Sequence, residues 1–522
     1  MTWPKQLSVD KRVVALLSAS TYESFPRALR ELVSNAYDAD ATRVEIDIDS
    51  DKETIRVVDN GSGMTPDEFD FYLRIAGRQR TRSRTTELGR SRIGQFGIGF
   101  LAMFPFCNEV RIESTVEGST TAFRASIPAA RFFSDSPRVE DVTAASVEGE
   151  EYSDERLRRR HYTRLTLVKT THLVHRFVNA QPDRRRNPNS IRSWPGVKRL
   201  RWELQDILPI GFRADSEVAP HVAPQQQDFA VSLNGEPLLA NDYVDEVLDH
   251  SPPEGATHGG VTFLYAIGTP WKAVAPDDAR GLRVRLHRVG VGERVYFDLG
   301  THGRTFSRLH WLTGEVNILE GLDEALTLNR DSFTATEGYD TLREFFRTKL
   351  RELAYFVEDV DVAKQRIRYQ TTESPRAQTA PRQDVIDAEV AKLERRGFEI
   401  RRAGTQEART RAEPPVEIDT RRRIVTVRPE HGTLRDKMTV AGNTYTLAFD
   451  RWDYRKARYK ACRPREDGSI EINQDYPLFE GAHKDIFRRL QILLLEAELN
   501  STSKRELFDS VQQLLLQEFD GG

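Results

Sequence analysis

The stretch "RELVSNAYDADA", residues 30–41, places Glu31, Asn35 and Asp38 at i, i+4 and i+7, which is one face of an α-helix. Two carboxylates and an amide on a packing stripe are costly to bury without partners. A metal-bound nucleotide would supply them. An amide oxygen suits Mg2+, which takes oxygen ligands and leaves positions for phosphate and water. A carboxylate one turn away could orient and deprotonate a water. The same residues also suit a helix whose polar stripe is taken up by ion pairs and capping.

Two glycine-bearing segments follow. In "VVDNGSGM" Asp59 ends a strand, and Gly61 and Gly63 relax the turn that runs to Met64. A carboxylate there could accept a hydrogen bond from the exocyclic amino group of adenine, or simply close an Asx turn. In "GQFGIGF", Gly94, Gln95, Phe96, Gly97, Gly99 and Phe100 form a loop. Its backbone N–H groups could approach phosphate closely before the next helix. No lysine-bearing "GK[ST]" follows, and no dinucleotide-binding unit opens here.

Strands and helices must hold these residues in place. The helix of Glu31 is followed by two alternating strands, "TRVEIDID" and "TIRVVDN", read as neighbours in one sheet. An arginine-, serine- and threonine-rich loop, "GRQRTRSRTTELGRSR", then leads to the glycine turn, an apolar helix and further strands such as "EVRIEST" and "YTRLTLV". This gives a first domain over 1–212, with a lid near 64–96. A second domain over 220–368 opens at "DFAVSLNGEPLL", where Asn234-Gly235 makes a two-residue hairpin turn. A polar linker, 369–384, precedes a third domain over 385–522. That domain is β-rich and ends in two amphipathic helices, read as core or as a dimer seam. The fold class is α+β.

At 522 residues the chain exceeds one ordinary core, and roughly two to four domains are expected. Its net charge of −3 excludes a general polycation. Arginines nonetheless cluster in 156–164 and 182–201, where they could meet phosphates or serve as solvated faces. Cys107 and Cys462 offer neither a disulfide framework nor a metal cluster. The sequence shows no run apolar enough for a membrane span and no apolar core of a signal peptide in its first residues. A cytoplasmic protein is the expectation.

Taken in order, Glu31/Asn35/Asp38, Asp59/Gly61/Gly63 and Gly94/Gly97/Gly99 resemble the three motifs of the GHKL ATPase superfamily. "IGQFGIGF" is similar to the ninety-kilodalton heat-shock chaperones of the HtpG type. So is "ILEGLDEALTLNRDSFT", a segment in which MORC-type ATPases also resemble this chain. The resemblance implies a Bergerat-type α/β sandwich, a ribosomal-protein-S5-like middle domain and a smaller α+β domain. It implies ATP and Mg2+ as ligands, with Glu31 activating water, Asn35 holding magnesium and Asp59 reading adenine. Arg330 would reach the γ-phosphate. From the residues alone Arg330 could equally pair with Asp331 or Glu324. Thr163 in "YTRLTL" matches the superfamily's late-strand threonine, although Tyr162 stands where a glycine is usual. The chaperones' lid lysine is missing, and Arg78 or Arg80 would replace it. A homodimeric, slowly hydrolysing clamp follows, acting on a client protein or, like MORC and MutL, on nucleic acid, as in bacterial anti-phage defence. A nucleotide-dependent interaction module with little catalysis is the third reading.

Overall fold

The computed structural model describes residues 2–8, 24–73, 85–94, 99–130, 144–183, 185, 187–224, 229–300, 306–327, 330–371, 383–402, 416–427, 436–450, 461–464, 469–473, 476, 484–501, 506, 509–511 and 513. The chain divides into two compact units, 1–358 and 359–522. The second begins ahead of the polar stretch at 369–384 that the sequence marks as a linker.

Alternation builds the first sheet. In β3 (Thr54–Asp59) the buried positions are Ile55, Val57 and Asp59. In β4 (Cys107–Thr115) Val110, Ile112 and Ser114 are buried, and in β7 (Tyr162–Thr170) Thr163, Leu165 and Leu167. The remaining strands are β1 (Thr2–Ser8), β2 (Arg43–Asp49), β5 (Thr121–Ile127), β6 (Ala144–Ser153), β8 (Ala230–Leu233) and β9 (Glu236–Leu238). They lie in the order β1-β6-β5-β4-β7-β3-β2-β8-β9. One face is apolar. On the other, Glu113 pairs with Arg124 and Arg164 and accepts from the hydroxyls of Tyr152 and Tyr162. This is the one-dry, one-wet division common in antiparallel sheets.

Helix α1 (Phe25–Asp38) covers the dry face with Phe25, Leu29, Leu32, Val33 and Ala36, all buried at helical spacing. The short α2 (Pro66–Tyr72) starts with a full capping box between Thr65 and Glu68. Helices α3 (His172–Val178) and α4 (Gly196–Ile207) contact α1 from the same side. The apolar segment after the glycine turn is a 3-10 helix, Gly99–Phe106, with Pro105 inside it. An α-helix would clash with that proline ring and lose a hydrogen bond.

The Asn234-Gly235 hairpin belongs to this first sheet rather than opening a second one. β8 runs parallel to β2, with Val44 opposite Val231. The Asn234 side-chain oxygen accepts from the Ile48 N–H, pinning the turn. Asn234 and Gly235 have φ of 51° and 78°, as such a turn requires.

A second sheet in the first unit has the order β10-β12-β15-β13-β14, with β11 on β12. Its strands are β10 (Glu246–His250), β11 (Ala256–His258), β12 (Val261–Thr269), β13 (Gly281–Leu286), β14 (Val289–Gly290) and β15 (Thr313–Glu320). The short helix α5 (Ala219–Val222) contacts β12 and β15. The long helix α6 (Glu337–Thr371) lays Phe346 against Phe263 and Phe297.

Buried charge ties the two sheets' layers together. Asp206, near the end of α4, meets Arg283 at 3.2 Å and Arg294 at 2.8 Å. Glu315 of β15 pairs with Arg285, which also donates to the Leu208 carbonyl. All five side chains are nearly inaccessible to solvent. Burial pushes the Arg283 guanidinium down to about 10. Burial also opposes ionisation of Asp206, but its arginine neighbours prevail and hold it below the usual carboxylate range.

The second unit holds α7 (Gln383–Arg395) and a three-stranded sheet of β16 (Glu399–Arg402), β18 (Ile424–Val427) and β17 (Val416–Asp419). A four-stranded sheet follows, in the order β19 (Asp436–Val440), β20 (Asn443–Asp450), β22 (Ile470–Asn473) and β21 (Cys462–Pro464). Helix α8 (Lys484–Asn500) buries Ile492, Leu493 and Leu495 with Leu447 and Ile472 in one core. Among the described residues no helix is long and apolar enough to cross a membrane, and no cluster of His, Cys, Asp and Glu could hold a metal ion.

Candidate active site

Strand pairing sets the first wall. Asp59 of β3 lies opposite Thr163 of β7, which lies opposite Ser114 of β4. A carboxylate and two hydroxyls therefore form one row on the dry face of the sheet. Asp59 Oδ1 accepts from the Gly61 N–H at 2.9 Å, and a second backbone hydrogen bond comes from Thr163. The Ser114 hydroxyl donates to the Tyr162 carbonyl, stands 3.1 Å from the Thr163 hydroxyl and accepts from the Met64 N–H. Desolvation dominates at Asp59 and raises its carboxyl from 3.8 to about 6, despite those hydrogen bonds. Gly63 has φ of 70°, and a Cβ there would lie 2.0 Å from the Thr115 carbonyl oxygen. Only glycine lets the turn close onto β4.

α1 supplies the second wall. Glu31 is buried and Asn35 half-buried, one turn apart. Asp38 faces the end of the lid segment. Its Oδ1 accepts from the Ile93 N–H at 2.8 Å and its Oδ2 from the Gly94 N–H at 2.6 Å. A Cβ on Gly94 would come within 2.8 Å of Asp38 Oδ2. Asp38 thus anchors the backbone that leads into the glycine loop. Burial raises its carboxyl above the usual range, against those two N–H groups. Arg92 adds a hydrogen bond to the Asp38 carbonyl, and Arg90 donates to the Tyr37 and Ala41 carbonyls.

The third wall comes from the second sheet. Beyond β15 the chain makes a tight turn, with Leu326 bridged to Phe333 and the Arg330 N–H bonded to the Thr327 carbonyl. Arg330 has φ of 54°, a left-handed backbone uncommon for a side chain of its size. Its Nη1 lies 3.6 Å from Glu31 Oε2 and its Nη2 donates to the Ile93 carbonyl at 2.9 Å. Arg330 is buried, and its Nη1 makes no hydrogen bond among the described residues. Beside it, Asp331 pairs with Arg27 at 2.6 Å and stands 3.9 Å from Arg30. Arg30 in turn donates to Glu31 Oε1 and to the Gly290 carbonyl. Burial lowers the Arg30 guanidinium against the pull of Glu31 and Asp331.

The structure therefore brings together Glu31, Asn35, Asp38, Asp59, Gly61, Gly63, Met64, Gly94, Thr163 and Arg330. Gln95, Phe96 and Gly97 lie outside the described residues, as do Arg78 and Arg80, while Gly99 and Phe100 begin the 3-10 helix. Arg330 pairs with Glu31, while its neighbour Asp331 is taken by Arg27. Ser114 and Arg30 were not singled out by sequence, and Asp331 entered there only as a possible partner of Arg330. Ser114 carries a trace of itself there, a hydroxyl on the apolar side of an alternating strand.

Residues 22–163 match the family model of histidine kinase-, DNA gyrase B- and HSP90-like ATPases. This part of the chain is a GHKL ATPase domain. A putative type II restriction enzyme, HgiDII of Herpetosiphon aurantiacus, is 37% identical over 119 residues, 23% of this chain and 19% of the relative. The chaperone protein HtpG of Escherichia coli (strain K12) is 32% identical over 132 residues, 21% of each. The matches thus span about a fifth of these curated relatives.

Proposed function

We propose that the chain is a cytosolic ATP-binding protein that hydrolyses ATP slowly and uses the cycle to open and close a homodimeric clamp. The observation that carries this reading is the Arg330–Glu31 approach inside a GHKL pocket. A base for water and a cation for transferred phosphate stand side by side, delivered by segments far apart in sequence. The pocket suits the nucleotide on further grounds. A buried carboxylate, Asp59, ends the sheet row held by backbone hydrogen bonds from Gly61 and Thr163, and the Arg330 Nη1 lacks a hydrogen bond among the described residues. The adenine amino group answers the first and a phosphate oxygen the second.

In this reading Asp59, steadied by Gly61 and Thr163, accepts from adenine, and Ser114 and Met64 fix the pocket floor. Asn35 is the protein's ligand for Mg2+, which when bound neutralises phosphate charge. Glu31 takes the proton of the attacking water. Arg330 stabilises charge on the phosphoryl oxygens. Asp38 holds Ile93 and Gly94, the hinge of the glycine loop to which Gln95, Phe96, Gly97, Gly99 and Phe100 belong. The domains would be the ATPase domain, a middle domain carrying Arg330 and a C-terminal domain. Turnover is slow because loop and domain closure limit it.

ATP turnover measured over a range of protein concentrations, with Glu31→Ala and Arg330→Ala alongside, tests the reading. Turnover per chain that rises with concentration and vanishes in both variants supports a dimeric clamp. Hydrolysis by Glu31→Ala at the wild-type rate would overturn the mechanism.

For the clamp's target, resemblance to HtpG favours a client protein. A nucleic-acid clamp, as in bacterial anti-phage defence, is favoured by the restriction-enzyme relative and by exposed arginines at 156, 158, 159, 160, 185 and 192. Hydrolysis stimulated by DNA, and salt-sensitive binding lost on replacing Arg184, Arg185 and Arg186, would separate the two. Tight nucleotide binding with negligible turnover under every condition would instead mark an interaction module.

A further inference from the structure

The turn that carries Asp59 is built on a glycine. Gly61 has no room for a side chain, since a Cβ there would lie 2.7 Å from the Ala39 carbonyl oxygen at the end of α1. Its N–H is the group that holds Asp59 Oδ1, at 2.9 Å. Glycine leaves both backbone torsions loose, so the aim of that N–H depends on what grips the peptide unit that follows.

Hydrogen bonds grip that unit at both ends. The Ser62 N–H donates to the Ala39 carbonyl at 2.8 Å. The Gly61 carbonyl lies 2.7 Å from His161 Nδ1. A carbonyl oxygen only accepts, so Nδ1 carries the proton, whether the ring is neutral or charged. His161 is half-buried and stands just ahead of β7, two residues before Thr163, which lies opposite Asp59 in the sheet. The flanks of the turn are tied elsewhere. Asn60 Oδ1 accepts from the Thr42 and Arg43 N–H groups, and the Met64 N–H donates to the Ser114 hydroxyl. His161 holds the middle.

We propose that His161 is a positioning residue for nucleotide recognition: its Nδ1–H fixes the Gly61–Ser62 peptide and, through the Gly61 N–H, the orientation of the Asp59 carboxylate. This rests on the reading of Asp59 as the adenine contact. It makes a residue outside the three glycine and carboxylate motifs a determinant of the preference for adenine over guanine, which lacks the amino group at that position.

The test measures ATP and GTP binding by calorimetry for the full chain as wild type, His161→Leu, His161→Asn and Asp59→Asn, with thermal unfolding of each. Leucine fills space but cannot donate, whereas the asparagine amide offers an N–H close to where Nδ1 stands. A hydrogen bond of ordinary net worth corresponds to roughly three- to tenfold in an equilibrium. His161→Leu should lose about that factor in ATP affinity, with GTP affinity little changed, and His161→Asn should recover most of it. Wild-type preference for ATP over GTP in His161→Leu overturns the proposal, even if the variant unfolds at a lower temperature. So does an equal loss for both nucleotides, or a loss that asparagine does not restore. If Asp59→Asn keeps the wild-type affinity and preference, the adenine reading itself falls.

Discussion

Arg330 Nη1 stands 3.6 Å from Glu31 Oε2, both side chains buried. The two come from helix α1 and from the turn beyond β15, within one compact unit. Arg330 therefore stands beside the proposed base, and each faces the position the reading gives to the transferred phosphate. Arg330→Ala should bind ATP within a few-fold of wild type but lose about 10³-fold or more in turnover, the usual worth of such a cation. Single-turnover hydrolysis at saturating ATP reads this directly; an unchanged rate would leave Arg330 as a structural contact.

Asp331 holds that arginine's loop to α1 through Arg27. Asp331→Asn should cut turnover roughly tenfold to a hundredfold through misplacement of Arg330, with little change in nucleotide affinity. Combining it with Arg330→Ala should add almost nothing, since both act through one group. Additive losses in the double variant would show that Asp331 works by another route.

Asp59 makes the site pH-dependent, with a definite sign. Its carboxyl is raised to about 6 in the folded chain from an ordinary 3.8. Its contribution to the stability of the empty protein is thus fully present below 3.8 and lost as pH rises through about 6. Adenine recognition needs the ionised form, so nucleotide affinity should fall as pH drops below about 6. Asp59→Asn should abolish adenine binding yet stabilise the empty protein at pH 7 by up to roughly 3 kcal/mol, the worth of that shift. Titration calorimetry from pH 5 to 8 and denaturant unfolding read the two effects separately.

Asp206 joins Arg283 and Arg294 where solvent does not reach. Asp206→Asn leaves those arginines with Glu315 as their carboxylate partner in the network and should cost about 3–5 kcal/mol. Urea unfolding should move to lower midpoint. Because Asp206 has a lowered carboxyl, its contribution is present above the ordinary carboxylate range and fades only as acid protonates the folded form. An unshifted midpoint would mean the network relaxes to admit water.

Much of the pocket was legible because its residues obey local rules. Glu31, Asn35 and Asp38 violate the apolar stripe of α1, and Gly63 sits where a turn needs positive φ. Arg330 was legible only by likeness, since nothing local distinguishes it from a surface arginine. The partners across space were not legible at all. Arg283 and Arg285 alternate with apolar residues in "LRVRLHR" as a solvated strand would, yet both are buried because Asp206 and Glu315 wait beneath them. The hairpin at Asn234-Gly235 was readable as a turn, but no local signal says which sheet it joins. The pairing of β8 with β2 is a long-range choice.

That pairing bears on how the protein can be cut. A fragment ending at residue 212, where the sequence suggests a boundary, would strip β8 from β2. It would leave β2 as an edge strand with open N–H and C=O groups, an invitation to edge-to-edge aggregation. A soluble ATPase fragment would have to run at least through Leu238. Even then Asp206 would lack its arginines, so the smallest piece that folds well is expected to be the whole first unit.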